Sequence, residues 1–216
     1  MSASYIANEF KKNGLKLLGE NGFQKFTMTQ FRIASDECVL QINSMPGAGE
    51  PMRFNLNEDF YPLSPTCDYD SCTAEVVDVG YGIVSEKLDR DAYEGVDVEG
   101  KIVAMRLGYF GQSENPHSDL ANYADINTKV NTAINKGAVG VILFRNDTNQ
   151  KAPSGKLNRS VKPTKIPVFY FNKTKPFPRG LTVTMISKVV APTAIGHNVV
   201  AFKNNHRKKK NDSSFR

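Results

Sequence analysis

Residues 93–144 constrain the fold more than any other stretch of this chain. The segment opens YEGVDVEGKIVAMRLG (93–108) and, after a polar loop, closes NTKVNTAINKGAVGVILF (127–144). Residues 101–107 form a short apolar run with β-branched members, fenced by Gly100 and Gly108, which predicts a buried strand. Leu120, Tyr123, Val130 and Ile134 then recur at helical spacing, with Ala133 beside them. Asp119 is the expected N-cap of that helix, and Gly137 is expected to take the left-handed turn that ends it. Residues 139–144 give a second apolar strand. Strand, helix and strand in this order form a crossover unit, so the two strands are expected to be parallel neighbours.

The net charge of +6 invites a nucleic-acid reading, but its distribution argues against one. Residues 203–216 hold six Lys/Arg and one Asp and contribute +5, which leaves only +1 for the preceding 202 residues. The basic character therefore belongs to a tail, and no nucleic-acid partner is expected. No apolar run approaches the roughly eighteen residues that a membrane-spanning helix needs. The N-terminal MSASYIANEFKK turns charged too early for a secretory signal. Three cysteines are an odd number. Cys67 and Cys72 could bridge in an oxidising compartment, leaving Cys38 free, or all three could be small unpaired residues.

Taken in order, residues 4–13 predict an amphipathic helix with Tyr5, Ile6 and Phe10 as its apolar face and Asn13-Gly14 as its stop. Residues 24–33 and 38–43 read as strands, 44–51 as a turn cluster, and 52–56 as another alternating segment. Residues 57–72 read as an irregular loop, with Asp68 and Asp70 as remote candidates for calcium. A strong strand is expected over 73–84, bent at Gly80–Gly82 where backbones approach closely. Residues 166–171, 181–187 and 194–202 complete the strands.

Four phrases carry a resemblance: VVDVGYGIV (76–84), YEGVDVEGKIVAM (93–105), AINKGAVGVILF (133–144) and IPVFYF (166–171). Together they resemble the protease-associated (PA) domain found within zinc aminopeptidases of metallopeptidase family 28. GLKLLGENGFQKFTM (14–28) is similar to the segment that opens the catalytic domain of that family, and TAIGHNVVAFKNN (193–205) to the strand that returns to it. The resemblance implies an α+β fold: a PA-type β-barrel or sandwich with a βαβ crossover helix, plus an N-terminal helix and strands from an incomplete peptidase domain. The expected divisions are 1–43 as the edge of the peptidase domain, 44–192 as the PA domain with its flanking loops, 193–202 as the return strand, and 203–216 as a disordered basic tail. The tail replaces the apolar strand ending in His-x-Asp that the family would place there. A shifted frame or truncation, a basic anchor and a plain disordered end are the readings it leaves open.

Such aminopeptidases hold two zinc ions through His, Asp and Glu ligands and use a carboxylate base from a Glu-Glu pair. This sequence contains no Glu-Glu pair and only three histidines, His117, His197 and His206. His117-Ser118-Asp119 has the His-x-Asp form but follows a loop instead of ending a buried strand. His197 falls in a predicted strand and reads as structural. No GxSxG elbow, phosphate loop or dinucleotide fingerprint is present, and no histidine is nominated to activate Cys38. No catalytic, cofactor-binding or metal-ligating residue is therefore assigned, and the two zinc ions would belong to the parent enzyme by resemblance.

Tyr109 and Phe110, at the end of a strand, are the candidate substrate-facing residues. Phe169 and Phe171 are expected on one face of their strand and in the core, with Tyr170 opposite. Four Asn-x-Ser/Thr sequons, at Asn146, Asn158, Asn172 and Asn211, would matter only in a secreted eukaryotic protein. The expectation is thus the N-terminal part of a secreted aminopeptidase, extracellular or periplasmic by resemblance, inactive by itself. Its partners would be a peptide or protein substrate and the missing peptidase domain. The alternative is a free-standing PA-type module that binds peptides or proteins.

Overall fold

A computed structural model describes residues 3–19, 21–29, 32–44, 50–111, 119–158, 160–174, 177–178 and 180–203. His117, His206 and most of the basic tail lie outside the described residues. In chain order the elements are α1 (Ala3–Lys12), β1 (Lys16–Leu17), β2 (Phe23–Thr29), β3 (Ile33–Ala34), β4 (Val39–Ser44), β5 (Met52–Arg53), β6 (Phe60–Pro62), β7 (Tyr69–Asp78), β8 (Val84–Ser85) and β9 (Arg90–Asp91). There follow β10 (Ile102–Arg106), α2 (Ile126–Asn135), β11 (Gly140–Phe144), β12 (Val168–Phe171), β13 (Thr182–Val190), β14 (Thr193–Val199) and β15 (Ala201–Phe202). The fold is α+β and mostly strands. The chain divides into two compact units, one formed by residues 1–30 with 193–216 and the other by residues 31–192.

The larger unit is built on the expected crossover. β10 and β11 are parallel neighbours, with Ile102 opposite Gly140 and Arg106 opposite Phe144. β7 joins β10 on one side and β12 joins β11 on the other, both parallel. A nine-stranded sheet results, in the order β5-β4-β13-β7-β10-β11-β12-β6, with β3 added to β13. β10, β11 and β12 are buried on both faces, which is why they read as apolar runs. Ile102, Ala104, Ile142, Phe144, Phe169 and Phe171 turn to one core, shared with Leu40, Ile42, Val183 and Met185 from β4 and β13. Val103, Met105, Val141, Leu143, Val168 and Tyr170 turn to the other, where Val130 and Ala133 of α2 cover them. The sheet must therefore curl until its antiparallel arm and its parallel strands share one interior. Strand alternation divides Phe169 and Phe171 from Tyr170 as expected.

Four expectations are corrected. α2 begins at Ile126, and its cap is Asp125, whose carboxylate accepts the Thr128 N–H at 2.9 Å. Asp119 instead opens a separate 3₁₀ turn, Asp119–Tyr123, so Leu120 and Tyr123 stand outside the helix whose spacing they mimic. β7 starts at Tyr69, not at residue 73, because Asp70, Ser71 and Cys72 pair with β13 despite their polarity. The supposedly irregular stretch 57–72 also yields β6, whose Pro62 is tolerated because β6 is an edge strand. Gly137 does take the left-handed turn (φ +90°) at the end of α2. Val39–Ser44, grouped in sequence with the N-terminal segment, is hydrogen-bonded into the large sheet, with Leu40 fully buried.

In the smaller unit, α1 stops where Gly14 adopts φ +70° and Leu15 N–H reaches the Phe10 carbonyl at 2.9 Å. Its buried residue is Ala7; Phe10 is half-buried, while Tyr5 and Ile6, expected inside, are exposed. β1 pairs with β15, and β2 pairs antiparallel with β14. Gly196 lies opposite Phe26, and a Cβ there would come within 2.5 Å of the phenyl ring. The aromatic ring covers the position that the glycine leaves open.

Candidate functional site

The parallel strands β7, β10 and β11 end on one edge of the larger unit. Open sheets with parallel strands present their ligand sites at such carboxyl ends. The turn after β7 uses Gly80 and Gly82, both with left-handed backbone (φ +61° and +63°), and a Cβ on Gly82 would lie 3.0 Å from the Met105 sulfur. The Asp78 carboxylate accepts the Gly80 N–H at 2.7 Å, and the Gly80 carbonyl accepts the Arg106 N–H at 2.7 Å. Arg106 turns its guanidinium to Asp78, with both nitrogen–oxygen contacts at 3.3 Å, and stacks 5.4 Å from the centroid of Phe144. The loop after β10 is fixed in turn by Leu107 N–H on the Phe144 carbonyl and by the Gln150 amide on the Leu107 carbonyl at 3.1 Å.

Tyr109 and Phe110 follow on that loop and part company. Tyr109 is buried, whereas Phe110 is 79% exposed. Phe110 and Leu120 line a cleft of about 550 Å³ together with Val79, Tyr81, Ile83 and Ala92, with Asp78, Arg90 and Asp91 at its polar positions. Two of those acids are occupied. Asp78 holds Arg106, and Asp91 accepts the Tyr93 N–H at 2.8 Å and Lys136 at 3.0 Å. The backbone N–H first, then Lys136, holds the Asp91 carboxyl below its ordinary value. Arg90 is exposed and makes no ion pair among the described residues. A second cleft of about 330 Å³ lies along Tyr81, Tyr109, Asn146, Asp147 and Gln150, so the Tyr81 ring borders both. The walls of the first cleft suit apolar side chains, and Arg90 is its charge without an ion-pair partner among the described residues.

The residue that sequence reasoning missed is Lys129. Its ammonium donates to the Arg106 carbonyl at 3.1 Å and to the Gly108 carbonyl, and it lies 5.7 Å from the Tyr81 ring centroid. Burial alone pushes its pKa down to about 7. A signal was available: Ile126, Lys129, Val130 and Ala133 share the stripe i, i+3, i+4, i+7, so the lysine stands on the apolar face.

The other sequence candidates do not assemble with this corner. His197 is exposed on β14, with an edge contact to Phe23 at 6.0 Å between centroids. All three cysteines are free, so Cys67 and Cys72 are not bridged. Burial raises each thiol, Cys67 to about 11 and Cys72 to about 12, which disfavours the nucleophilic thiolate. Asp68 binds Arg32 at 2.8 Å and Asp70 caps the Ser71 N–H at 2.8 Å, so neither carboxylate is held ready for calcium. Among the described residues no group of three or more His, Cys, Asp or Glu could hold a metal ion. The donor set of a dizinc site does not fit these residues.

The sequence matches the PA domain family over residues 61–175, a span that includes the crossover, both clefts' central residues and Lys129. The chain belongs to the PA domain family. Its fold is similar to that of an aminopeptidase from Aneurinibacillus sp. strain AM-1, at 21% identity and a TM-score of 0.50, covering 96% of this chain and 43% of that one. A zinc aminopeptidase from Bacillus subtilis matches at 19% identity and a TM-score of 0.48, covering 96% of this chain and 41% of that one. The chain therefore spans about two fifths of the length of these aminopeptidases. No curated protein matches the sequence. Within the PA domain, the Gly80–Gly82 turn, the loop bearing Phe110 and the helix bearing Lys129 form one corner.

Proposed function

We propose that this chain is the N-terminal and PA-domain portion of a secreted, zinc-dependent aminopeptidase of metallopeptidase family 28, and that its PA domain limits or assists access of peptides to the active site of the parent enzyme. The observation that carries this reading is the reach of the fold likeness. The PA match stops at residue 175 and starts at 61, yet the likeness to the Aneurinibacillus aminopeptidase covers 96% of the chain, flanking segments included. In this reading the smaller unit is the edge of the peptidase domain, and the cleft beside Phe110 meets the peptide. The zinc ions and the general base belong to the peptidase part, because the sequence has no Glu-Glu pair and no suitable donor cluster occurs among the described residues. The chain by itself is inactive, and the parent enzyme works outside the cytoplasm.

The larger unit encloses its own two cores, which favours a second reading, a PA module that binds peptides without any peptidase. Translation of the DNA beyond codon 202 in all three frames separates the two. The aminopeptidase reading expects an apolar strand ending in His-x-Asp in one frame, and its absence from every frame would leave the binding module. Incubation of the chain with zinc and leucine p-nitroanilide is expected to give no turnover above the metal alone; real turnover would overturn the assignment of the catalytic groups elsewhere.

A further inference from the structure

We propose that the cleft at the ends of β11 and β12 holds the C-terminal residue of a peptide, its carboxylate at Arg145 and its large apolar side chain against the phenyl rings beside it. The cleft measures about 530 Å³ and shares no lining residue with the two clefts beside Phe110. That volume falls within the roughly 300–1,000 Å³ of small-ligand sites. Ile42 of β4 and Phe171 of β12, both buried, line it together with Phe54 and Phe177, which pack on the same core. The rings are ordered against one another. Phe54 meets Phe171 edge-on at 4.8 Å between centroids, and Phe177 stacks on Phe171 at 5.0 Å. An aromatic side chain entering here extends an aromatic cluster that already exists.

The charged end of the cleft follows from the topology. β11 and β12 are parallel neighbours, and Arg145 and Lys173 come within two residues of their carboxyl ends, where parallel sheets present ligand sites. Among the described residues no acid lines the cleft. Lys173 is matched from outside it by Asp59 at 3.0 Å, whose carboxylate also accepts the Asn55 N–H. Arg145 has no such match. Its guanidinium donates to the Asn172 side-chain oxygen at 2.9 Å and to the Thr148 carbonyl at 3.3 Å, both neutral. It joins no ion pair among the described residues. The nearby hydroxyls of Tyr61 and Tyr170 bring it no negative charge, because burial holds both phenols neutral. A guanidinium carries five N–H donors in a planar fork that matches a carboxylate, and two neutral contacts leave that fork partly unfilled. An uncompensated cation beside aromatic walls selects an anion with an apolar body. The last residue of a peptide supplies both, and Thr148 and Thr174, which also line the cleft, are suited to the peptide group that precedes it. The cleft is a property of this chain and stands whether or not the aminopeptidase reading does.

The test is an NMR titration of the full ¹⁵N-labelled chain with three peptides: acetyl-Ala-Ala-Phe, its C-terminal amide, and acetyl-Ala-Phe-Ala. Amide shifts are followed at residues 145–148 and 171–174. The free acid ending in Phe is expected to shift these amides saturably. Amidation should weaken binding about tenfold, the loss expected when a charge-assisted contact becomes a neutral one, and so should moving Phe away from the last position. Arg145→Gln should abolish the difference between acid and amide, whereas Phe177→Ala should weaken both alike. Equal binding of acid and amide, equal binding with Phe last or internal, or no saturable shift at these residues would overturn the proposal. Binding of phenylacetate with exclusion of all three peptides would assign the cleft to a free aromatic acid and overturn it as well. The peptide comparison is read on the unsubstituted chain, so the outcome is decided even if either variant fails to fold.

Discussion

Two strand couples in this molecule are built on opposite terms. β10 and β11 are parallel and bury every residue from Ile102 to Met105 and from Val141 to Phe144 completely. β2 and β14 are antiparallel, pair over seven residues, and leave Phe26, Met28 and Ile195 exposed, Ile195 to 67%. Hydrogen bonding is comparable, so the ladders do not explain the difference. What differs is coverage. β10 and β11 have a core on each face, while the apolar side chains of β2 and β14 meet too little protein among the described residues to be removed from water. Stability in the first couple comes from burial, at roughly 1.5–3 kcal/mol for each large apolar side chain.

The strongest way to break this comparison is to truncate one residue of each kind. Leu143→Ala empties a fully buried site between β11 and α2 and is expected to cost about 3 kcal/mol of unfolding free energy in urea. Ile195→Ala should change it by no more than about 0.5 kcal/mol. Equal losses would mean that β14 is packed as tightly as β11, and the contrast would fall.

Lys129 sharpens the contrast by placing a titrating group inside the well-covered region. Its folded value, about 7, lies below the ordinary 10.5. Between those values the unfolded chain binds a proton that the folded chain lacks, so stability should rise with pH across that window and be flat below it. From pH 7 to about 8.5 the gain should be roughly 1.5 kcal/mol. Above about pH 9 the raised thiols act in the opposite direction, since the folded chain then keeps protons that unfolded cysteines release. Urea melts at the two pH values should show the rise in the unsubstituted chain and its disappearance in Lys129→Met. Lys25→Met, on exposed β2, should leave it intact.

A smaller effect separates the two aspartates that compete to start the crossover helix. Asp125→Ala removes the cap of α2 and should lower stability by about 1 kcal/mol, whereas Asp119→Ala, in the exposed 3₁₀ turn, should be close to silent.

That pair also marks how far the sequence could be read. The parallel crossover was legible because strands covered on both faces must be apolar where they are covered, and residues 102–105 and 139–144 satisfy that by themselves. The start of α2 was not, because Asp119, Leu120 and Tyr123 continue the helical spacing by coincidence and only the side-chain cap at Asp125 decides. β6 and the first residues of β7 were hidden for a different reason. Their pairing depends on β12 and β13, more than a hundred residues away, and not on local apolarity. At the candidate site, the placement of aromatics at the end of β10 was visible, but which of Tyr109 and Phe110 faces solvent is set by the loop's hydrogen bonds.

Phe110 should give the smallest effect on stability and the most specific one on binding. Its ring is 79% exposed, so Phe110→Ala removes little buried area and should shift the unfolding midpoint within the roughly 0.5 kcal/mol expected of surface changes. In this it should behave like Ile195→Ala, although the two residues lie in different units. They should diverge when a peptide is offered. Phe110 borders the cleft that also holds Tyr81 and Arg90, so its loss should weaken binding of peptides with apolar side chains, by about 1 kcal/mol or more if the ring is an anchor. Isothermal titration of both variants with the same peptide library checks this. Unchanged binding in Phe110→Ala would move the substrate-facing surface away from this corner, and exposure of an aromatic ring would then carry no more meaning here than it does on β14.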